Sequence, residues 1–159
     1  VHVIGLRLGG LLAAAACAER EDIESLNLWD PVTSGVQYIN ELRKELTDEN
    51  NPKGNGELNS NYQDCKGVIN FNGFALHIKM QETLKKLNVL NIDMSAISKV
   101  RHIISHQSID SQEFINAIKE KGNFSSDLIE APHDWNYVDK YGGILLPQPI
   151  IQGIVDCLT

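Results

Sequence analysis

The stretch that decides the fold is residues 1–16, VHVIGLRLGGLLAAAA. Residues 1–4 are an apolar run of the kind that builds strands. A turn punctuated by glycine follows, Gly5-Leu6-Arg7-Leu8-Gly9-Gly10. An alanine-rich segment of high helix propensity begins at once, and reads as a helix over 9–20. That helix is apolar nearly all round, which predicts burial between layers. The glycines let the chain turn tightly and let helix and strand approach closely. The charged residue of the turn is Arg7.

Working outward, Leu26-Asn27-Leu28-Trp29 is a second short strand, ended by Asp30-Pro31. Strand, helix and strand at this spacing form a βαβ unit, parallel and right-handed. A strand as apolar as VHVI belongs in the middle of a parallel sheet, covered on both faces. The expectation is therefore that further sequence precedes it, and that this is the C-terminal part of a longer protein. Residues 100–105, VRHIIS, read as a third strand. A helix follows to Lys121, with Asp110 or Ser111 as its N-cap, Phe114, Ile115 and Ile118 inward, and Gly122 as its C-cap. Residues 125–131 read as a fourth strand, with His133 just beyond it. Residues 149–158 form a last helix with Pro149 in its first turn.

Between the second and third of these strands the pattern changes. Residues 36–46 have helical spacing, with Val36, Ile39, Leu42 and Leu46 on one face. Residues 47–67 are polar and read as a loop around Asn50-Asn51-Pro52-Lys53-Gly54-Asn55-Gly56. Residues 68–76, VINFNGFAL, carry an Asn72-Gly73 hairpin signal. Residues 77–87 read as a helix with Ile78, Leu84 and Leu87 buried. We read 36–98 as a segment inserted over the sheet, and 1–35 with 99–159 as the core.

Composition narrows the chemistry. The 159 residues are 42% hydrophobic and 22% charged, a globular balance with enough chain for a substantial core. A net charge of −7 suits phosphate backbones poorly, so nucleic acid is not an expected partner. No apolar run reaches the length of a membrane span. The three cysteines, Cys17, Cys65 and Cys157, are widely separated and odd in number. They fit a reducing compartment, and hence a cytoplasmic setting, better than a disulfide framework. Cys17 and Cys157 read as small core residues. His2, His77, His102 and His106 lack the spacing of a metal-ligand set, so neither a metal nor a cofactor is implied.

Four parallel strands bring their carboxyl ends to one edge, where open α/β sheets bind ligands. The residues delivered there are Arg7 and Leu8, then Asp30 with Thr33 and Ser34, then 105–110, then His133. A strand–turn–helix first, an acidic region later and a histidine last is an order that resembles the α/β-hydrolase superfamily. The resemblance covers nearly the whole chain. It implies an α/β fold, the C-terminal half of a hydrolase, with parallel strands, flanking helices and 36–98 as an inserted cap. GLRLGG, with LWDPVTSG after the next strand, looks most like bacterial exosortase-associated hydrolases and serine aminopeptidase-like proteins. Carried over by position, Arg7 stands at the nucleophile of the elbow, His133 at the general base, and Asp110 at the acid, with Asp30 as the other acid.

Arg7 departs from that pattern. A guanidinium is not a nucleophile, stays protonated and has no acceptor. The serine mechanism of the elbow is therefore not available as written. Two roles remain open for Arg7. It could pair internally, with Asp30 or with a carboxylate outside this chain. Or it could grip a carboxylate or phosphate in two places at a helix N-terminus that already favours anions. Two functions follow. One is hydrolysis of an ester, thioester or amide by another nucleophile or by activated water. The other is non-catalytic binding of an anionic small molecule or a protein partner. Ser34 is a substitute nucleophile in principle, but its flanks, Thr33 and Gly35, are those of a turn. Trp29 and Trp135 read as packing residues.

Overall fold

The computed structural model describes residues 1–47, 67–71, 74–119, 122–130 and 148–156. In chain order the elements are β1 His2–Leu6, α1 Leu8–Cys17, β2 Ser25–Trp29, α2 Gly35–Thr47, β3 Val68–Phe71, β4 Phe74–His77, α3 Ile78–Lys85, β5 Lys99–Ile104, α4 Ile109–Ile118, β6 Phe124–Leu128 and α5 Gln148–Val155. Two compact units result: Val1–Thr33 with Val89–Thr159, and Ser34–Asn88.

The first unit is a parallel sheet of order β1-β2-β5-β6. Alternate residues of a strand face opposite ways. Val3, Gly5, Leu26, Leu28, Val100 and His102 therefore share one face, and Ile4, Leu6, Asn27, Trp29, Arg101 and Ile103 the other. Crossovers of one hand put α1 and α4 together on the first face. There α1 packs on β1 and β2, Phe114 of α4 meets His102, and a short 3-10 helix, Val89–Asn91, packs against both helices. On the second face α5 sets Ile150 and Ile154 against Trp29 and Ile103. Arg101 ties the same layers: its Nε donates to Asp127 at 2.6 Å and its Nη1 to the carbonyl of Gly153 at 2.5 Å.

Within this chain β1 lies at one edge of the sheet, with Ile4 49% and Leu6 41% exposed, and β2 is buried at every residue. The reason is position: β2 has a neighbour on each side and helices on both faces. Likewise α1 is buried along one stripe only, Gly10, Leu11, Ala14 and Cys17, while Leu12 is 42% exposed. A helix lying on one face of one sheet has one buried side, however apolar the rest. Burial also pushes the Cys17 thiol pKa up, so it stays a protonated core group.

The second unit packs α2 against α3 and β3, beside the antiparallel β3–β4 hairpin. Gln81 is its buried polar link, donating to the Leu76 carbonyl and accepting from Arg43. His77 is the N-cap of α3 rather than its first residue, its Nδ1 accepting from the Lys79 amide. Ile78 is 47% exposed, whereas Leu84 is buried. This unit ends at Asn88. Residues 89–98 belong to the first unit, where the Asn123 side chain donates to the carbonyls of Met94 and Ile97. The Asn72-Gly73 turn and residues 48–66 lie outside the described residues.

Candidate functional site

The turn after β1 is held in a conformation that L-residues avoid. Arg7 has φ 50° and ψ −122°, and it is the N-cap of α1 without a side-chain cap bond. Such backbone costs on the order of 1–3 kcal/mol and persists only where its surroundings over-determine it. Here they do. The Arg7 amide donates to the Trp29 carbonyl at 3.0 Å, and its carbonyl accepts from Gly10 at 2.9 Å and from Val32 at 3.1 Å. The backbone is thus fastened while the side chain is exposed, and the guanidinium has no hydrogen-bond or ionic partner among the described residues. A substitution separates strain from function. Arg7→Gly is expected to raise stability by about 1 kcal/mol, the strain relieved less the entropy of glycine, read as a higher urea midpoint.

One strand over, Asp30 follows β2 with φ 39°, a conformation that Asp tolerates better than most residues. Its amide donates to the Ile103 carbonyl at 2.9 Å. Its carboxylate, 6% exposed, accepts twice from Ser105 at the end of β5: from the amide at 2.8 Å and from Oγ at 2.5 Å. Both bonds are charge-assisted, which makes them short and strong. Asp30 is therefore spoken for by Ser105, and the internal Arg7–Asp30 pair is not formed. Ser105 Oγ also lies 3.1 Å from Nδ1 of His106.

His102 sits beneath these groups on β5. It is 1% exposed, edge-on to Phe114, with Nδ1 at 3.4 Å from Ser126 Oγ. Burial pushes its pKa down to about 4 against a smaller upward pull from the Asp30 carboxylate. It is a neutral core residue at neutral pH.

Of the residues expected at the edge, Arg7, Leu8 and Asp30 follow β1 and β2 in the first unit. Leu8 is the half-buried first residue of α1. Thr33 ends that segment, its carbonyl accepting from Val89. Ser34 opens the second unit, where its Oγ accepts from the Gln37 amide at the start of α2, a turn role. Asp110 is the second residue of α4, so it is not the N-cap; Ser108 is, in a capping box with Ser111. Ser108 takes that place because its backbone is extended and its hydroxyl reaches the Ser111 amide. His133, Trp135 and Cys157 lie outside the described residues. Ser105 and His106 fall in the segment 105–110 expected at this edge, but the sequence assigns neither a role. The signal for them is a Ser-His pair at the carboxyl end of a buried strand, beside a strand ending in Asp.

No family model matches this sequence, and no curated protein does. Among solved structures, the α/β hydrolase GrgF from Penicillium sp. sh18 is similar, with a TM-score of 0.55 at 14% identity. The likeness covers 98% of this chain and 61% of that one. The fold is that of part of an α/β hydrolase. Within an α/β-hydrolase fold, Arg7, Asp30 and Ser105 stand at the carboxyl ends of three successive strands, the edge at which open α/β sheets take ligands. No group of three or more metal-ligating side chains occurs among the described residues. No helix among them is long and apolar enough to cross a membrane.

Proposed function

We propose that this carboxyl edge binds a small acyl compound carrying a negative charge, through Arg7. Where the compound is an ester, thioester or amide, it is hydrolysed by activated water rather than by residue 7. The observation that carries the reading is the exposed Arg7 guanidinium, held on a strained and fully tied backbone at the start of α1. Strain of that kind marks positions where the side chain's placement matters more than local stability. The planar fork of Arg suits a carboxylate, and the α1 N-terminus adds favourable dipole. In this reading the turn is a nucleophile elbow whose hydroxyl is replaced by a cation. The resemblance of GLRLGG to exosortase-associated and serine aminopeptidase-like hydrolases makes the chain, in this reading, a bacterial cytoplasmic protein, with an inserted cap segment falling within 36–98. His133 and Asp110 remain the positional counterparts of base and acid.

The test is a butyrate titration followed by amide NMR. Arg7→Ala is expected to weaken butyrate by roughly 10- to 100-fold, the value of a charge-assisted bond. Arg7→Lys, which keeps charge but loses the fork, is expected to fall between. Unchanged affinity in Arg7→Ala would sink the binding role. A fluorophosphonate probe is expected to leave every serine unlabelled, and a labelled serine would replace activated water with covalent catalysis.

A further inference from the structure

Among the described residues, two that are not glycine have positive φ, Arg7 at 50° and Asp30 at 39°. Hydrogen bonds join their segments. The Arg7 amide donates to the carbonyl of Trp29, the residue before Asp30, and the Arg7 carbonyl accepts from the amide of Val32, two residues after it. Segment 29–32 is thus the frame on which the Arg7 backbone is bent. The frame is held in turn from its other side. The Asp30 amide donates to the Ile103 carbonyl at 2.9 Å. Its carboxylate accepts from the Ser105 amide at 2.8 Å and from Ser105 Oγ at 2.5 Å. An L-residue leaves a conformation of this kind unless its neighbours forbid it. For Arg7 the forbidding groups are a carbonyl and an amide on either side of Asp30, and Ser105 is what keeps Asp30 in place. The run of bonds from Ser105 through Asp30 to Arg7 crosses the ends of three adjacent strands within one compact unit.

We propose that Asp30 and Ser105 are positioning residues for Arg7, and that the bonds between them set how tightly the guanidinium holds an anion. The role rests on the reading of Arg7 as the anion site. Asp30 is 6% exposed and Ser105 3%, so both act through the Arg7 backbone rather than on the ligand. While their bonds hold, the Arg7 side chain springs from one fixed backbone, and its fork meets the anion at little ordering cost. Once they are broken, residue 30 can leave positive φ and carry the Trp29 carbonyl and the Val32 amide with it. Arg7 then spends only part of its time in the competent geometry, and apparent affinity falls in proportion to that fraction. Linkage makes the coupling two-way, so a bound anion holds the Ser105–Asp30 bonds closed.

Butyrate titrations followed by amide NMR test this on the whole chain. Asp30→Gly, which permits positive φ without the carboxylate, is expected to weaken butyrate about 10-fold. Ser105→Ala, which keeps the amide bond and loses the hydroxyl, is expected to weaken it about 3-fold, and Ser105→Thr to restore it. Asp30→Gly added to Arg7→Lys is expected to cost less than about 2-fold, because a flexible ammonium gains little from a fixed backbone. In the wild-type chain, saturating butyrate is expected to slow hydrogen exchange of the Ser105 amide about 5-fold or more, with the amides of α3 unchanged. Wild-type affinity in both Asp30→Gly and Ser105→Ala overturns the proposal and leaves the Arg7 reading standing. Equal losses from Asp30→Gly with and without Arg7→Lys also overturn it, since they mark a general loosening. So does unchanged exchange at the Ser105 amide, a measurement that decides even where Asp30→Gly fails to fold. A wild-type chain that does not bind butyrate through Arg7 overturns both.

Discussion

Gly5→Ala is expected to destabilise the chain by about 3 kcal/mol, at the upper end of the usual cost of overpacking. A Cβ on Gly5 would lie 2.6 Å from the Gly10 Cα, 2.7 Å from the Gly9 carbonyl oxygen and 2.9 Å from the Ala13 Cβ. Two of those atoms are backbone and cannot swing aside, so α1 would have to lift from β1. Gly10 has its own constraint, since a Cβ there would meet Pro31 Cβ at 2.8 Å. Lifting α1 would also drag on the Arg7 backbone, whose bonds to Trp29 and Val32 hold the turn to the end of β2. The loss should appear as a lower urea midpoint at unchanged m-value. Gly9→Ala is the control in the same turn. A Cβ there meets nothing within 4 Å, and alanine is the better helix former, so the change is expected to be neutral to about 1 kcal/mol stabilising. Equal effects at the two positions would mean that glycine here serves chain flexibility and not close approach.

The second large effect is acid lability through His102. Its imidazole titrates near 6.5 in an unfolded chain and is held down to about 4 in the folded one, chiefly because burial disfavours its charged form. Above pH 6.5 both states are neutral and its contribution to stability is complete. As the pH falls through 6.5 the unfolded chain gains a proton that the folded chain refuses, so stability declines. The decline continues to about pH 4, where the folded state also protonates and this contribution flattens. The total is on the order of 3 kcal/mol. His102→Leu is expected to remove this slope between pH 6.5 and 4. The measurement is urea unfolding across that range, and parallel slopes in the two proteins would exclude His102 as the source.

Much of the fold was legible because it rests on short-range pattern. VHVI, LNLW and VRHII announce strands by their apolar runs, and the segments between them carry helical spacing or a cap. The order of those elements suffices for a parallel sheet with helices on its face. What the sequence did not give away depends on partners far along the chain. Asp30 and Ser105 are 75 residues apart, and nothing near either one signals the pair. Without that pair Asp30 looks available to Arg7. The helix cap differs from its expected place for a nearer reason. Ser108, Asp110 and Ser111 are all good caps, and backbone geometry chose Ser108. The burial of α1 is narrower than its composition implies because alanine is apolar wherever it points.

The way β2 and β5 finish has a consequence for how this rim could change over generations. Past the last rung made by main chain, the sheet is continued by a carboxylate, with the Ser105 amide bonded to Asp30 where a carbonyl would otherwise serve. A rung supplied by peptide groups survives nearly any mutation, because every residue carries the same atoms. A rung supplied by a side chain is written in the genetic text and can be erased by a single codon. Drift at this one position would therefore unzip the border of the sheet while the peptide-made rungs before it hold.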